Sequence, residues 1–397
     1  MSDTEVAVIG AGMHPWGKWG RSFLDYAVVA ANAALQDAGV RWNQIQLIAA
    51  GETVRQGYPG YVAGAAIAQA LGWNGARVSS SYAACASGAA ALESARTRIL
   101  ADLCDVALVI GADATPKGFL APASGERWDD PDWLRFRLLG ATNPTYFGLA
   151  ARRRMDLHGA TQSDFAKVKV KNARHGLTNP YARYRKEVTE EEVLGSALVA
   201  DPLHLLDICA TSDGAAAVVV SSLEFAKRLG ATNPVRIRGI STVTPTFPNT
   251  VLEMPNFASD SEIAVSASRS TFMESIGRAV YAEAGIGPEE VNVAEVYDLS
   301  TALELDWYED LGFCKPGEAE RMLHDGDTTI GGRLPVNPSG GLACFGEAVP
   351  AQALAQVCEL TWQLRGTAGD RQCENASVGI TANKGLFGHG SSVLLVR

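Results

Sequence analysis

The sequence lacks an apolar run that is long enough to cross a membrane. Its longest apolar stretches are broken by Gly, Asp or Arg well before the roughly 18 residues that a spanning helix needs. The first residues lead straight into the apolar stretch 6–9, and no basic segment followed by an apolar one, the pattern of a secretory signal, precedes it. We therefore expect a cytoplasmic protein with no membrane-inserted segment.

Cysteine pairs with the spacing of metal or redox motifs are also missing. The seven cysteines are scattered without a Cys-x-x-Cys pair, and an odd number in a chain with no visible export signal favours reduced thiols over disulfides or zinc. Cys104, Cys209 and Cys358 lie in apolar runs and are predicted to be core residues. The net charge of −10 disfavours nucleic acid as a partner. We expect neither a metal ion nor a bound cofactor.

An internal repeat indicates two similar halves. The segment 34–52 is echoed by the segment 280–298, and each reads as a helix ending at Ala-Gly, a short loop and a β-branched strand. The segments 212–221 and 388–397 form a second echo, a glycine turn before a short buried strand. The 397 residues suffice for two domain-sized units. We predict an α/β protein with halves at residues 1–230 and 235–397.

Residues of about 115–205 differ from the rest of the chain in being basic and rich in aromatic side chains. We interpret them as an inserted loop domain on the first half. The segment is either a solvated helical excursion or the holder of a phosphorylated ligand. Its basic and aromatic residues are Trp128, Trp133, Arg135, Arg137, Arg152, Arg153, Arg154, Lys167, Lys169, Lys171 and Arg174.

Two residues stand beside predicted helix starts. Cys85 precedes a small-residue helix start, where free amides and the positive end of the helix dipole lower a thiol's pKa and stabilise anions. Glu347 follows a glycine-framed segment and precedes a second predicted helix, opposite to Cys85 in the pseudo-symmetry. Cys85 therefore suits a nucleophile, whereas Glu347 could equally complement the helix dipole or act as a cap.

Four segments resemble the active-site blocks of the thiolase superfamily, and in particular of the sterol carrier protein type thiolases. They are Cys85–Gly88, Glu295–Asp298, Asn337–Gly341 and the closing glycine-rich strand. The resemblance covers essentially the whole chain. It implies a thiolase fold, with two pseudo-symmetric five-layered α/β halves and an inserted loop domain, and it implies a homodimer.

The sequence departs from that family at two histidines. The second block of the family carries His-Asp-Cys-Phe, but Tyr297 stands here at the histidine; the third carries Gly-His-Pro, but Glu347 follows Gly346. In the family, these histidines polarise the thioester oxygen and activate the nucleophilic cysteine. Their replacement disfavours Claisen chemistry through an acyl-cysteine at Cys85.

The replacements favour a different reaction. Tyr297, Glu347 and a further histidine, His389, are predicted to converge where the active site of the family lies. This pattern resembles the thiolase-like lipid-transfer proteins of steroid-degrading bacteria, which act as aldolases on β-hydroxyacyl-CoA thioesters together with a small OB-fold partner protein. The resemblance implies an acyl-CoA substrate, with coenzyme A present only as part of that substrate, and such a partner.

We therefore predict a carbon–carbon lyase that cleaves a β-hydroxyacyl-CoA, a steroid side-chain thioester being one candidate, into a ketone or aldehyde and a short acyl-CoA. Tyr297 is the predicted base, Glu347 or His389 protonates the enolate, and backbone amides near Cys85 and Gly388 hold its oxygen. The predicted positioning residues are Asp298, Asn337, Gly388 and Gly390. One alternative is a degradative 3-ketoacyl-CoA thiolase that uses Cys85. The other is a non-catalytic subunit that binds acyl-CoA or lipid.

Overall fold

The computed structural model describes residues 5–115, 143–246, 271–385 and 388–397. The strands are β1 (Val6–Gly17), β2 (Leu47–Gly51), β3 (Arg77–Ser81), β4 (Val106–Ala114), β5 (Leu198–Ala200), β6 (Leu203–His204), β7 (Asp213–Ser222), β8 (Val235–Val243), β9 (Val293–Val296), β10 (Val378–Gly385) and β11 (His389–Val396). The helices are α1 (Phe23–Ala38), α2 (Tyr58–Tyr61), α3 (Ala63–Ala70), α4 (Ser87–Leu100), α5 (Asn143–His158), α6 (Gln162–Gly176), α7 (Glu190–Leu194), α8 (Leu223–Leu229), α9 (Phe272–Ala284), α10 (Thr301–Asp310), α11 (Ala319–His324), α12 (Gly341–Phe345) and α13 (Val349–Arg365). None of these helices is both long and apolar enough to span a bilayer.

The large sheet has the strand order β3-β2-β4-β7-β1-β8-β11-β10-β9. In the first half, β2 and β4 are parallel, while β7 is antiparallel to both β4 and β1. In the second half, β9 and β10 are parallel, while β11 is antiparallel to both β10 and β8. Both echoes in the sequence therefore lie on equivalent elements, the first on β2 and β9 and the second on β7 and β11.

Two central helices serve both halves. Helices α4 and α13 pack against each other, and each also contacts strands that precede residue 230 and strands that follow residue 235. On the outside, α1 and α3 cover the first set of strands and α9 covers β8 and β11. Helices α4 and α13 are therefore common to both halves. Cys104, Cys209 and Cys358 are buried, as predicted.

The repeated helices begin and end through the same local signals. The side chain of Ser22 accepts a hydrogen bond from a backbone amide at the start of α1, and Thr271 does the same for α9. Gly39 and Gly285 then end these helices with φ of 65° and 64°, a left-handed conformation that glycine adopts without a Cβ clash. The predicted Ala-Gly helix ends are therefore confirmed.

Three glycines of the first half let the start of α13 approach very closely. A Cβ at Gly111 would lie 2.0 Å from the carbonyl oxygen of Pro350, and one at Gly88 would lie 2.7 Å from the same oxygen. A Cβ at Gly51 would lie 3.0 Å from the Pro350 side chain. Because Pro350 follows Glu347 by three positions, this contact also determines where the Glu347 carboxylate lies.

We expect Gly111→Ala to lower the free energy of unfolding by about 1–3 kcal/mol, because its methyl group has no room beside the Pro350 backbone. Urea unfolding followed by tryptophan fluorescence measures this change. Gly287→Ala is the matched control, since the atoms nearest to its Cβ would be those of the flexible Glu289 carboxylate. Equal stability of the two variants would show that the start of α13 can move away.

Candidate active site

Cys85 lies in a tight turn immediately before α4. The turn Ala84–Ala86 is a 3₁₀ helix, and Ala84 has a φ of 48°, which is uncommon for a residue with a side chain. Ser87 braces the turn: its hydroxyl accepts a hydrogen bond from the Ala83 amide at 2.8 Å and donates one to the Ala84 carbonyl at 2.6 Å. The predicted place of Cys85, just ahead of a helix, is confirmed.

The structure brings together three of the four side chains predicted to be catalytic. The Tyr297 hydroxyl lies 3.0 Å from the Cys85 sulfur, and that sulfur lies 3.2 Å from Oε1 of Glu347. Tyr297, Cys85 and Glu347 are only 3%, 4% and 1% exposed. A buried, hydrogen-bonded row of phenol, thiol and carboxylate therefore forms at the junction of the two halves.

The second half of the chain supplies Glu347, but the first half holds its backbone. The Glu347 amide donates to the Ala210 carbonyl at 2.7 Å, and the Ser212 amide donates to the Glu347 carbonyl at 2.8 Å. The Thr115 hydroxyl lies 3.3 Å from the same carbonyl and 3.1 Å from the Asp113 carboxylate, so these two acceptors share its single proton. These bonds hold the residue just ahead of α13, whose N-cap is Ala348, so its predicted position beside a helix start is confirmed.

The electrostatic surroundings of Cys85 correct one expectation. Burial raises the pKa of the Cys85 thiol well above its usual range, and the negative charge of Glu347 raises it further. Burial likewise raises the pKa of Tyr297 well above its usual range, with the charges of Cys85 and Glu347 adding to the effect. These effects outweigh the lowering of the thiol pKa that we predicted from the helix start. The thiol and the phenol are therefore both held in their neutral forms.

His389 differs from the three residues of the row in its burial. It is the first residue of β11, its backbone pairs with Gly385, and its side chain is partly exposed, whereas the three others are buried. A Cβ at Gly385 would lie 2.4 Å from the Ala83 carbonyl and 3.2 Å from the Cys85 amide. The backbone at the end of β10 therefore contacts the turn that carries Cys85. The two hydrogen bonds that join Tyr297, Cys85 and Glu347 are direct and do not involve His389.

Two predicted positioning glycines lie in the same region. Gly388 adopts a φ of 83°, in the left-handed region. Gly390 packs against α9, and a Cβ there would lie 2.2 Å from Cδ1 of Ile276. Gly390 is thus explained by close packing, while the Gly388 amide remains a predicted donor to the enolate oxygen.

Asp298 and Asn337 brace the elements that carry the site. The Asp298 carboxylate accepts hydrogen bonds from the amides of Leu342 and Ala343, in the first turn of α12. Asn337 accepts a hydrogen bond from the Val296 amide at 2.7 Å and donates through Nδ2 to a buried carboxylate, described next. Both predicted positioning residues therefore hold protein segments in place rather than facing a ligand through these groups.

The basic segment contributes a buried ion pair to the core of the protein. Lys171 donates to Glu304 at 2.5 Å, and Glu304 also accepts hydrogen bonds from Asn172, Tyr308 and Asn337. This cluster was not foreseen. The helical spacing of the sequence could have indicated it. Phe165, Val168, Asn172 and His175 recur at intervals of three and four residues and lie on one buried face of α6, and Lys171 is also buried on this helix.

Other cations of the basic segment are also used internally. Lys169 donates to the Ala343 carbonyl at 2.6 Å, and Arg154 is buried among Asp306, Glu309 and Glu320. Arg152 pairs with Asp201 at the surface. Of the two alternatives for this segment, the holding of a phosphorylated ligand is disfavoured for Arg154, Lys169 and Lys171, because these cations have partners inside the protein. The predicted basic and aromatic residues Trp128, Trp133, Arg135 and Arg137 lie outside the described residues.

A cavity of about 180 Å³ leads to Tyr297. Its walls among the described residues combine apolar side chains with charged ones, which are the cations Arg153, Arg154 and Lys384 and the carboxylates Asp306, Glu309 and Asp310. Apolar side chains that line it are Phe147, Leu157, Phe272, Met273, Leu299 and Leu303. Within the described part of the chain, Tyr297 lines this cavity, whereas Cys85 and Glu347 do not.

Comparison with protein families gives two matches that together span most of the chain. The model described as thiolase, N-terminal domain, matches residues 6–224, and the model described as thiolase C-terminal domain-like matches residues 257–397.

Individual relatives are similar over nearly the whole chain. Acetyl-CoA acetyltransferase from Methanothermobacter thermautotrophicus is 33% identical, over 98% of this chain and 98% of its own length. Sterol carrier protein 2 from Oryctolagus cuniculus is 32% identical, over 96% of this chain and 70% of its own. Among solved structures, the Ltp2-ChsH2(DUF35) aldolase is 29% identical with a TM-score of 0.81, covering 99% of this chain and 98% of its own.

We expect Lys171→Met to destabilise the fold by about 3–5 kcal/mol, because it leaves the Glu304 carboxylate buried without its cation. Thermal or urea unfolding measures this loss. The control is Lys186→Met, which removes an exposed pair with Glu192 and should cost less than about 1 kcal/mol. A Lys171→Met variant as stable as the control would contradict a structural role for this cluster.

Proposed function

The chain belongs to the thiolase superfamily, and we propose that it uses this fold as a carbon–carbon lyase that cleaves a β-hydroxyacyl-CoA into a ketone or aldehyde and a short acyl-CoA. The observation that carries the proposal is the arrangement of the three buried side chains. Tyr297 lines the cavity, and its hydroxyl is bonded to Cys85, whose thiol is bonded in turn to Glu347.

Acyl transfer through Cys85 is disfavoured because Glu347 is a poor base for a thiol. A histidine that takes a thiol proton becomes a cation and stabilises the thiolate beside it. A carboxylate that takes the same proton becomes neutral and gives no such stabilisation. The reference pKa values of a thiol and a glutamic acid also differ by about four units, or roughly 6 kcal/mol against the transfer. The effects of burial on Cys85 act in the same unfavourable direction.

Retro-aldol cleavage needs no covalent enzyme intermediate. A base removes the proton of the β-hydroxyl, the bond between the α- and β-carbons breaks, and donors stabilise the resulting thioester enolate. We assign this contact with the hydroxyl to Tyr297, and its position in the cavity wall supports the assignment. We assign the enolate oxygen to backbone amides near Cys85 and Gly388. The apolar part of the walls suits a hydrocarbon acyl group, of which a steroid side chain is one example.

The relatives support both this reaction and its alternative. The structure named as an aldolase shares 29% identity and a TM-score of 0.81 with this chain, which favours the lyase. The relative named as an acetyl-CoA acetyltransferase is 33% identical, and this chain retains Cys85. A 3-ketoacyl-CoA thiolase with Cys85 as the nucleophile is therefore the second candidate.

We also propose that the chain works with other polypeptides. The name of the aldolase structure joins two components, which supports a partner protein for this chain. We expect this partner to be a small OB-fold protein associated with acyl-CoA. A homodimer is proposed as well. Strand β3 is an edge strand of the sheet, and Val78 on it is exposed, so its open edge is a surface available to a second copy.

The first prediction from this proposal concerns the substrate. The purified protein, alone and with a co-encoded OB-fold protein, should release a ketone or aldehyde and an acyl-CoA from a β-hydroxyacyl-CoA when no free CoA is added. Liquid chromatography with mass detection of the CoA products measures this. Turnover of a 3-ketoacyl-CoA only, and only with free CoA, would instead establish the thiolase.

The second prediction concerns Tyr297. Replacing Tyr297 by Phe should lower kcat for cleavage by about 10²- to 10⁴-fold, because the only group lost is the hydroxyl that acts on the substrate proton. The exposed Tyr184→Phe is the matched control and should keep wild-type activity. Circular dichroism should show both variants folded. An active Tyr297→Phe enzyme would exclude the proposed role.

A further inference from the structure

The hydrogen bonds between Tyr297, Cys85 and Glu347 have a direction that follows from their chemistry. A carboxylate has no proton and can only accept, so the Cys85 thiol must donate to Oε1 of Glu347 across their 3.2 Å contact. A thiol has a single proton, so the Tyr297 hydroxyl must donate to the Cys85 sulfur across their 3.0 Å contact. The lone pairs of the Tyr297 oxygen are then left to accept a proton from another group.

The lining of the cavity indicates which member of the row meets the substrate. Among the described residues, Tyr297 lines the cavity and Cys85 and Glu347 do not, although all three are buried, at 3%, 4% and 1% exposed. A hydroxyl bound in the cavity can therefore reach the Tyr297 oxygen first. The sulfur atom, which would have to meet the thioester carbon in covalent catalysis, stands one position further from the cavity.

We propose that Cys85 acts as a proton conductor between Tyr297 and Glu347, with Glu347 as the terminal base of the retro-aldol reaction. This inference rests on the proposed lyase function. It makes Tyr297 the catalytic residue that touches the substrate, and Cys85 and Glu347 positioning residues that act through it.

The step balances in protons and electrons. The β-hydroxyl proton moves to the Tyr297 oxygen, the Tyr297 proton moves to the Cys85 sulfur, and the Cys85 proton moves to Glu347. The electron pair of the O–H bond forms the carbonyl bond of the released ketone or aldehyde, and the pair of the broken carbon–carbon bond passes to the thioester enolate. The same three protons then move back, so that Tyr297 protonates the α-carbon and the short acyl-CoA is released. No oxidant, reductant or second substrate is required.

Neutral relay atoms suit the surroundings of the row. A free phenolate or thiolate is costly in a buried site, because few polar groups replace the lost water. In the concerted transfer the negative charge leaves Glu347 only as it develops on the substrate. Neither Tyr297 nor Cys85 has to carry a full charge.

The kinetic test compares Cys85→Ser with Cys85→Ala. Serine keeps one proton to donate and lone pairs to accept, so Cys85→Ser should retain kcat for cleavage within about tenfold of wild type. Alanine interrupts the row and should lower kcat by about 10²-fold or more. A covalent role would be revealed by loss of activity in both variants, and a packing role by equal, near-wild-type activity in both; either result overturns the relay.

Glu347 provides a second kinetic arm. Glu347→Gln removes the terminal acceptor and should lower kcat as much as Cys85→Ala does. The double variant should then be no slower than either single one, because residues that act as a unit are not additive. Losses that multiply in the double variant would show that the two side chains act independently.

An infrared measurement tests the hydrogen bonds without relying on turnover. The S–H stretching band of Cys85, isolated as wild type minus Cys85→Ala, should be present and should shift when Glu347 is replaced by Gln. Absence of the band would mean that Cys85 is a thiolate and would overturn the relay. A wild-type protein with this band but no cleavage of β-hydroxyacyl-CoA would refute the proposed function, and the catalytic relay with it, while leaving the hydrogen-bond assignment intact.

Discussion

The close approach of the start of α13 to the first half is the contact on which the site depends. Side chains on Gly51, Gly88 or Gly111 would push Pro350 outwards, and the absence of those side chains lets the helix start lie against β2, β4 and α4. Cys85 precedes α4 and Glu347 precedes α13, so this contact between backbones sets the distance between a thiol and a carboxylate that are far apart in the chain.

Burial then determines what chemistry the site can perform. A pair of histidines can hold a positive charge next to a thiolate, whereas a tyrosine, a cysteine and a glutamate together can only hold or pass a negative one. The surroundings raise the pKa values of both the thiol and the phenol, so their protons stay bound at neutral pH. A site of this kind favours the movement of protons over attack by a charged nucleophile.

The principal positions in the site could be predicted from the sequence because they depend on local signals. Cys85 precedes a run of small residues, Glu347 precedes an apolar helix, and Tyr297 follows the repeated strand β9. The sign of the pKa shift at Cys85 could not be predicted, because it depends on burial and on a carboxylate that approaches from the other half.

The structural roles of the buried polar residues could not be predicted from the sequence either. Lys171 lies in a basic segment and Glu304 in a separate helix, and only the packing of α6 on α10 joins them. Asp298 and Asn337 belong to motif segments, yet their polar atoms hold the backbone of α12 and β9. A sequence motif indicates that such residues are important. It does not show whether they contact a ligand or support other residues that do.

The equivalence of the two halves has an evolutionary consequence. Helix α4 precedes β4 as α13 precedes β10, so the turns before these helices occupy matching places in the repeated topology. Two identical polypeptides assembled about a symmetry axis would carry the same residue at both places, two thiols or two carboxylates. Joining the copies into one gene allows each place to mutate alone. A donor facing an acceptor, as Cys85 faces Glu347, is an asymmetry that one chain allows and that two identical polypeptides about a symmetry axis do not.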